Sequence, residues 1–320
     1  MTQVSIIVAT YNADPNKLRK TLEAAVSQRG VEVEIVITDD GSQEKDFSFV
    51  PAFFASHNFT QYKVIENPIN KGTVWNCYTG VCAASGEYVF TTSPGDILFD
   101  ETTMLRFYEF AKQRHSQLCF GNAVRYKLAN NQVVCTNTHS IPATPDSYGE
   151  GTSLKQQKIS FFGDNLIIGA CYFRSHTFAK TYLEQLLDVV KYMEDTPSTM
   201  SALLDGIRID YFDCNIIFYE DEVGISTGKN DKWRTLLNQD LRNGLSELRK
   251  KHQGNPYLEI AWKNATEPSR WKRIAYRFMM HPILSISMVI EKRLRKPREI
   301  CCSDDDWKRL SRLVLENAED

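Results

Sequence analysis

Five carboxylates draw attention by where they fall in the sequence. Asp39 and Asp40 open an Asp-Asp-Gly-Ser turn, Asp96 closes Ser-Pro-Gly-Asp, and Glu194-Asp195 precede Thr196-Pro197. Carboxylate oxygens are hard ligands, so such a set suits a divalent cation and a phosphorylated molecule. Other site chemistries have no support. No GxGxxG or GxxxxGK[ST] follows an apolar run, the six histidines show no HExxH or zinc spacing, and no GxSxG elbow occurs.

The elements that must position these acids can be read from hydrophobic period. Val4 to Thr10 is a continuous apolar run, the pattern of a strand buried on both faces. Leu18, Leu22, Ala25 and Val26 then recur at helical spacing, and Gly30 ends the segment. Val33 to Thr38 is a second strand, Tyr62 to Glu66 a third and Glu87 to Thr92 a fourth. A helix lies over Val74, Cys77, Tyr78 and Val81, stopped by Gly86. Strands alternating with helices predict an open, mostly parallel α/β sheet, whose ligands bind at the carboxyl ends of the strands. Tyr11, Asp39 and Asp96 follow the first, second and fourth strands, so topology alone sends them to one crevice.

Beyond residue 101 the pattern is mixed. Met104 to Ala111 reads as a helix, residues 118–141 as paired strands, and residues 142–165, rich in Pro, Gly, Ser and Asp, as a mobile loop. Phe178 to Val189 reads as a helix, Ile207 to Tyr219 as two short strands around Asp213, and Trp233 onward as a helical tail.

VSIIVATYN at the start, DDGS at 39–42, Asn70-x-Gly72, ASGEYVF at 84–90 and the later Glu194-Asp195 occur in an order and spacing that resemble family 2 glycosyltransferases. The likeness covers residues 4–226 and is nearest to bacterial enzymes of capsule, O-antigen and exopolysaccharide assembly. It implies a GT-A fold, an open and mostly parallel sheet flanked by helices, here with a C-terminal helical tail. It also implies transfer of a sugar from a nucleotide-sugar, usually a UDP-sugar, with inversion at the anomeric carbon.

Roles follow from the matched motifs. Thr10, Tyr11, Asn12, Asp39, Asp40, Asn70, Gly72 and Asn76 fall where the family binds the nucleotide. Tyr11 would pack on the uracil ring and Asp39 would accept the base N3–H, although Asp39-Asp40-Gly41 also reads as a plain turn. Gly72 suits a tight backbone turn, and Trp75 reads as core packing. Asp195 matches the catalytic base that takes the acceptor's proton, with Glu194 in support. Thr196 as an N-cap with Pro197 at N1 would explain the same residues structurally.

Two departures stand out. Where the family carries its DxD metal motif this chain has Ser93-Pro94-Gly95-Asp96, so Asp96 is the expected ligand of Mn²⁺ or Mg²⁺ and Ser93 and Gly95 are candidates for diphosphate contact. In place of an Arg and a His on the loop that closes over the diphosphate stand Glu220, Asp221 and Glu222. They read as a solvated charged turn or as acids reaching the metal, leaving Ser226, Lys229 or Lys232 to meet phosphate.

Charge divides the chain. Net charge is −2 overall, which does not call for nucleic acid, yet residues 229–300 carry 17 Lys/Arg against seven Asp/Glu. Within 270–298, cations flank an apolar centre whose longest uncharged stretch, Phe278 to Ile290, is 13 residues, short of the roughly 20 that span a bilayer. Such a segment suits an anionic membrane surface, or an amphipathic helix packed on the protein or a second subunit. The acceptor would then be a glycan or lipid-linked glycan, and the location cytoplasmic, peripheral on the inner face of the membrane. Eight scattered cysteines without CxxC pairs read as reduced thiols. The expected division is a nucleotide-sugar-binding half, 1–100, an acceptor-binding half, 101–228, and the basic tail, 229–320. A non-catalytic carbohydrate-binding or scaffold subunit on the same fold is the competing reading, motivated by the two departures.

Overall fold

The computed structural model describes residues 2–130, 132–135, 145–163, 167–221, 231–294 and 302–315. In chain order the first part runs β1 (Val4–Thr10), α1 (Pro15–Val26), β2 (Val33–Asp39), α2 (Val50–Ser56), β3 (Tyr62–Glu66), α3 (Thr73–Ala83), β4 (Tyr88–Thr92) and β5 (Ile97–Leu98). Then come α4 (Thr103–Arg114), β6 (Leu118–Ala129), β7 (Gln132–Cys135), α5 (Leu154–Phe162), β8 (Tyr172–Ser175), α6 (His176–Glu184), α7 (Asp195–Leu204) and β9 (Asp210–Glu220). The tail is helical: α8 (Asp231–Lys251), α9 (Pro256–Thr266), α10 (Arg270–Met280), α11 (Pro282–Leu294) and α12 (Asp304–Leu315).

One sheet of strand order β3-β2-β1-β4-β8-β6-β9-β5, with β7 beside β6, runs through the molecule. β3, β2, β1 and β4 are mutually parallel; β8 is antiparallel to both its neighbours. The fold is thus the open GT-A sheet flanked by helices that the resemblance implies, but the sheet is mixed and not mostly parallel: β4–β8, β6–β8, β6–β7 and β5–β9 pair antiparallel. β1 lies at the centre of the parallel half because both its faces are apolar. Val4, Ile6 and Val8 enter the main core while Ile7 enters a second cluster with Val36, Cys77 and Val81. Each such side chain contributes roughly 1.5–3 kcal/mol on burial. The register sets Thr10 opposite Asp39 and Val8 opposite Thr92, so the carboxyl ends of β1, β2 and β4 finish together.

α1 starts where Asp14 accepts the N–H of Asn16 and Pro15 fills the first turn, where a missing N–H costs nothing. The main buried cluster joins Val8, Phe120, Leu258 and Leu310, so helices of the tail share the core of the sheet. In α12, Ser303 caps the helix through the N–H of Asp306, and Leu310 and Val314 form its inner face with Trp307 packed alongside.

Three local expectations need correction. Residues 154–162 of the supposed mobile loop are α5, fastened because the Gln157 side chain donates to Ile209 O at 2.8 Å and accepts from Ile209 N at 2.9 Å; residues 142–144, 164 and 165 lie outside the described set. The two strands read around Asp213 are one strand, β9. Its register against β6 shifts near Asn122, and this irregularity absorbs the polar interruption without ending the pairing. The helix read to Val189 stops at Glu184 and continues as turns. Cys77, Cys82, Cys119, Cys171, Cys214 and Cys302 are free thiols.

Candidate active site

The aligned ends of β1 and β2 form a compact polar corner. Thr10 Oγ1 donates to Asp39 Oδ1 at 3.2 Å and to Thr38 O at 3.1 Å. Asp39 is buried, and its carboxylate also takes Ser42 N at 2.8 Å and the Ser42 hydroxyl. Asn76, on α3, lies beneath: its Nδ2 donates to Thr10 O at 3.1 Å and Thr38 O at 3.2 Å. Thr10, Asp39 and Asn76 therefore build the corner and stand behind its surface. Tyr11 is what the corner presents, 51% exposed at the tip of β1. Asn12 follows in the left-handed region at φ 45°, its N–H donating to Ser42 Oγ at 2.6 Å. This bend leaves the Tyr11 ring facing out, the disposition needed to stack on a base.

Asp40 points the other way. Its two oxygens accept Lys71 N and Gly72 N, each at 2.8 Å, and so staple the end of β2 to the start of α3. Burial raises its pKa despite these donors. Gly72 has φ 99°, and a Cβ there would lie 2.5 Å from Lys191 O, so the turn admits only glycine. Asn70 is half-buried in the same loop. Trp75 is half-buried as well, with Lys71 Nζ 3.6 Å from its ring centroid; it is a rim residue and not the core packing expected.

Lys191 links this corner to the acid pair, because its carbonyl takes Val74 N at 3.1 Å. Three successive backbone N–H groups, of Lys191, Tyr192 and Met193, donate to one oxygen of buried Asp240 on α8, at 3.0, 2.5 and 3.2 Å. The chain then enters α7 at Glu194-Asp195. Asp195 Oδ1 accepts the N–H of Thr196 at 2.6 Å, and the helix starts two residues earlier than expected, with Glu194 and not Thr196 at the N-cap position. Asp195 is half-buried, whereas Glu194 is buried against Gly169, and its Oε1 accepts from both terminal nitrogens of Arg174, at 3.4 and 3.5 Å. Burial pushes Glu194 up to about 7, with Arg174 pulling it down and Asp195 pushing it up. Burial likewise raises Asp195, against the pull of the Thr196 N–H and the Arg174 charge. The Cys77 thiol of α3 is raised by burial and also feels Glu194, Arg174, Asp40 and Asp195, which puts the acid pair and the polar corner around one helix.

The turn after β4 differs from its expected role. Ser93 is exposed at its tip, and Gly95, at φ 104°, is clamped by Thr21 Oγ1 on its N–H at 3.0 Å and by Tyr126 OH on its carbonyl at 2.6 Å. Asp96 is 6% exposed; Oδ1 faces Glu220 N at 3.4 Å and Oδ2 the Thr92 hydroxyl at 3.5 Å. Its pKa is pushed up to about 7, first by burial, then also by Glu220. A cation ligand must be ionised and reach outward, whereas burial disfavours the charge on Asp96 and its two oxygens face inward, toward the end of β9 and Thr92. Position 95 has no side chain. Among the described residues no three His, Cys, Asp or Glu side chains are placed to hold a metal ion. The residues of this turn do not fit the divalent cation that the resemblance implies. Glu220 and Asp221 are corrected too: they are buried and paired, with Lys17 and Arg125, and are not a solvated turn. Glu222, Ser226 and Lys229 lie outside the described residues; Lys232 is exposed in the first turn of α8.

Lys17, Arg174 and Asp240 are residues around the site that sequence reasoning missed, and Glu220 is one whose partner it did not find. Arg174 sits in a short strand whose polar position has no periodic signature. Asp240 lies in an otherwise ordinary charged helix. Glu220 was visible only as one of three acids in a row.

The sequence profile described as Glycosyl transferase family 2 matches residues 5–179. Poly-beta-1,6-N-acetyl-D-glucosamine synthase of Staphylococcus epidermidis is 26% identical over 119 residues, 37% of this chain and 28% of that protein. Glycosyltransferase GlyG of Streptococcus pneumoniae is 24% identical over 123 residues, 38% of this chain and 40% of that protein. The matches thus span well under half of those relatives' own lengths. Among solved structures, S. aureus TarS 1–349 in complex with UDP superposes with a TM-score of 0.56 at 16% identity, covering 88% of this chain and 75% of that one. Mannosyltransferase PcManGT of Pyrobaculum calidifontis, in complex with GDP-Man and Mn²⁺, gives 0.53 at 14% identity, covering 98% and 85%. At such identities the structural likeness speaks for the fold.

Proposed function

This chain belongs to glycosyl transferase family 2, and on that premise we propose that it transfers a sugar, with inversion, from a UDP-sugar to a glycan acceptor carried on a lipid, in the assembly of a polysaccharide. The observation that carries the reading is the path Asp40–Gly72–Lys191–Asp195. It joins the polar corner behind the exposed Tyr11 ring to a half-buried carboxylate at a helix start. This connection supports reading the two as the nucleotide ground and the base of one site.

In this reading Tyr11 stacks on the uracil, over a corner held by Thr10, Asp39 and Asn76. Asp195 accepts the proton of the acceptor hydroxyl as its oxygen attacks the anomeric carbon. The bond from that carbon to the diphosphate oxygen breaks, and UDP leaves with the electron pair. One attack from the face opposite the leaving group inverts the centre. Glu194, fixed by Arg174, holds the start of α7 and sets the electrostatics of its neighbour.

The lipid-linked acceptor draws support from the tail. Trp271, Ala275 and Phe278, then Met279, Ile283, Ile286 and Ile290, recur at three- or four-residue spacing across α10 and α11 and are exposed, Trp271 and Met279 at 79% and Ile283 at 78%. Ser285, Met288 and Glu291 turn the opposite face into the protein, where Glu291 takes Gln156 Nε2 at 2.5 Å and Ser160 Oγ at 2.8 Å. The tail therefore packs through one face and leaves its apolar stripe outward, flanked by Arg270, Lys272, Lys292 and Arg293. No helix among the described residues is long and apolar enough to cross a membrane. The stripe suits shallow insertion at the cytoplasmic, anionic face of a bilayer, where lipid-linked glycans would be within reach.

The test is UDP release from a panel of UDP-sugars, with and without lipid-linked acceptor, alongside UDP titration. One donor consumed above background supports the reading. UDP that neither binds nor is released favours a non-catalytic scaffold, to which the loss of a side chain at position 95 would then belong.

A further inference from the structure

The place of the missing side chain at Gly95 is taken by a carboxylate from the far end of the sheet. A Cβ at Gly95 would lie 2.3 Å from Glu220 Oε2 and 3.6 Å from Lys17 Cδ. Glu220 closes β9 and is 8% exposed, and both its oxygens are taken by Lys17 Nζ, at 2.6 and 2.7 Å. The two residues are 203 apart in sequence and come from α1 and β9, so the pair is a product of the fold. It is also rigidly based. Thr21, one turn after Lys17, accepts Gly95 N and donates to Asp96 O at 2.9 Å, tying α1 to the same turn.

We infer that the Lys17 ammonium stands in for the divalent cation in this chain: it meets the diphosphate of the donor, Glu220 is the counter-ion that aims it, and donor binding needs no metal. An ammonium has three N–H donors, and Glu220 takes two. The third is left for an incoming phosphate oxygen, and the lysine is partly exposed toward solvent. Coordination of a metal by Glu220 would instead bring a second cation up against the Lys17 ammonium, which like-charge repulsion opposes. The surrounding side chains of the turn supply no competing cation site among the described residues.

This inference rests on the nucleotide-sugar reading, and calorimetric titration of UDP into the intact chain separates the two. With wild type, the Kd in EDTA and in Mn²⁺ should agree to about twofold. Lys17→Met, checked for an unchanged melting temperature, should weaken UDP binding about tenfold or more in either buffer, the size of a lost charge-assisted contact. Lys17→Arg should recover part of the affinity. Mn²⁺ that tightens wild-type binding tenfold or more overturns the inference, and loss of that effect in Glu220→Gln would make Glu220 a metal ligand. UDP affinity unchanged in Lys17→Met overturns it as well. UDP that binds in neither buffer overturns the donor reading, and this inference with it.

Discussion

Asp240 accepts the backbone N–H of Tyr192 at 2.5 Å, two residues ahead of Glu194, and the same oxygen also serves Lys191 and Met193. One carboxylate from the tail therefore fixes the approach to the acid pair. Asp240→Ala leaves three N–H groups without that acceptor, and the expected cost is about 1–3 kcal/mol of stability. Because the approach loosens, kcat should fall more than KM rises. A melting curve and steady-state kinetics on the same preparation check both, and a lower melting temperature with unchanged kcat would confine Asp240 to stability.

Asp195→Asn keeps the shape of the side chain and its acceptance from Thr196 N, but removes the basic oxygen. Transfer should drop about 10²- to 10⁴-fold with UDP affinity near wild type. Undiminished turnover would take Asp195 out of the base role.

The acid pair should set an acid limb in the pH profile. Burial pushes Glu194 up to about 7 and also raises Asp195. A carboxylate accepts a proton only when ionised, so kcat/KM should climb as pH rises through neutrality and level above it. The apparent value belongs to the pair. Arg174 pulls Glu194 down, so Arg174→Met should shift the limb upward by about one pH unit or more. A limb that stays in place would leave Arg174 a packing role only.

Gly72→Ala tests the hinge between the nucleotide corner and Lys191. The residue sits at φ 99° and a Cβ would approach Lys191 O to 2.5 Å. At φ 99° and ψ 171°, a region essentially confined to glycine, an L-residue pays about 1–3 kcal/mol, and the clash adds to it. UDP affinity should fall with stability. A variant as stable as wild type would mean the loop can shift away from Lys191 freely.

Trp271→Glu with Ile283→Glu places charge on the exposed stripe without touching the face that packs on α5. Co-sedimentation with vesicles containing phosphatidylglycerol should be lost, while turnover on a soluble acceptor persists. Binding of the double variant to such vesicles at wild-type level would remove the stripe as the membrane contact.

The parallel half of the sheet was readable because its information is local. Val4–Thr10 and Val33–Asp39 are unbroken apolar runs, and runs of that length have few other solutions in a chain that alternates with helical period. The corner acids could be located from the same logic, since residues that follow such strands must lie at their carboxyl ends. Residues 154–162 were misread because Pro, Gly and Ser around them resemble a loop, and the Gln157–Ile209 pairing that fastens them links positions 52 apart. Glu220 and Asp221 looked solvated for a similar reason: each has its cation far away in sequence.

Strand period, turn chemistry and the order of the family's motifs were written into neighbouring residues, and they set the sheet, the crevice and the identity of the acid pair. The directions of the side chains were not. Whether Asp96 faces outward or toward a β9 amide, whether Gly95 is empty space or the seat of Glu220, and which helix steadies Glu194 all depend on contacts between residues 17 and 220, 96 and 220, or 191 and 240. Such contacts have no sequence period. They arise when separate amphipathic elements are packed together, and a buried charge must then take whatever partner the packing brings within reach.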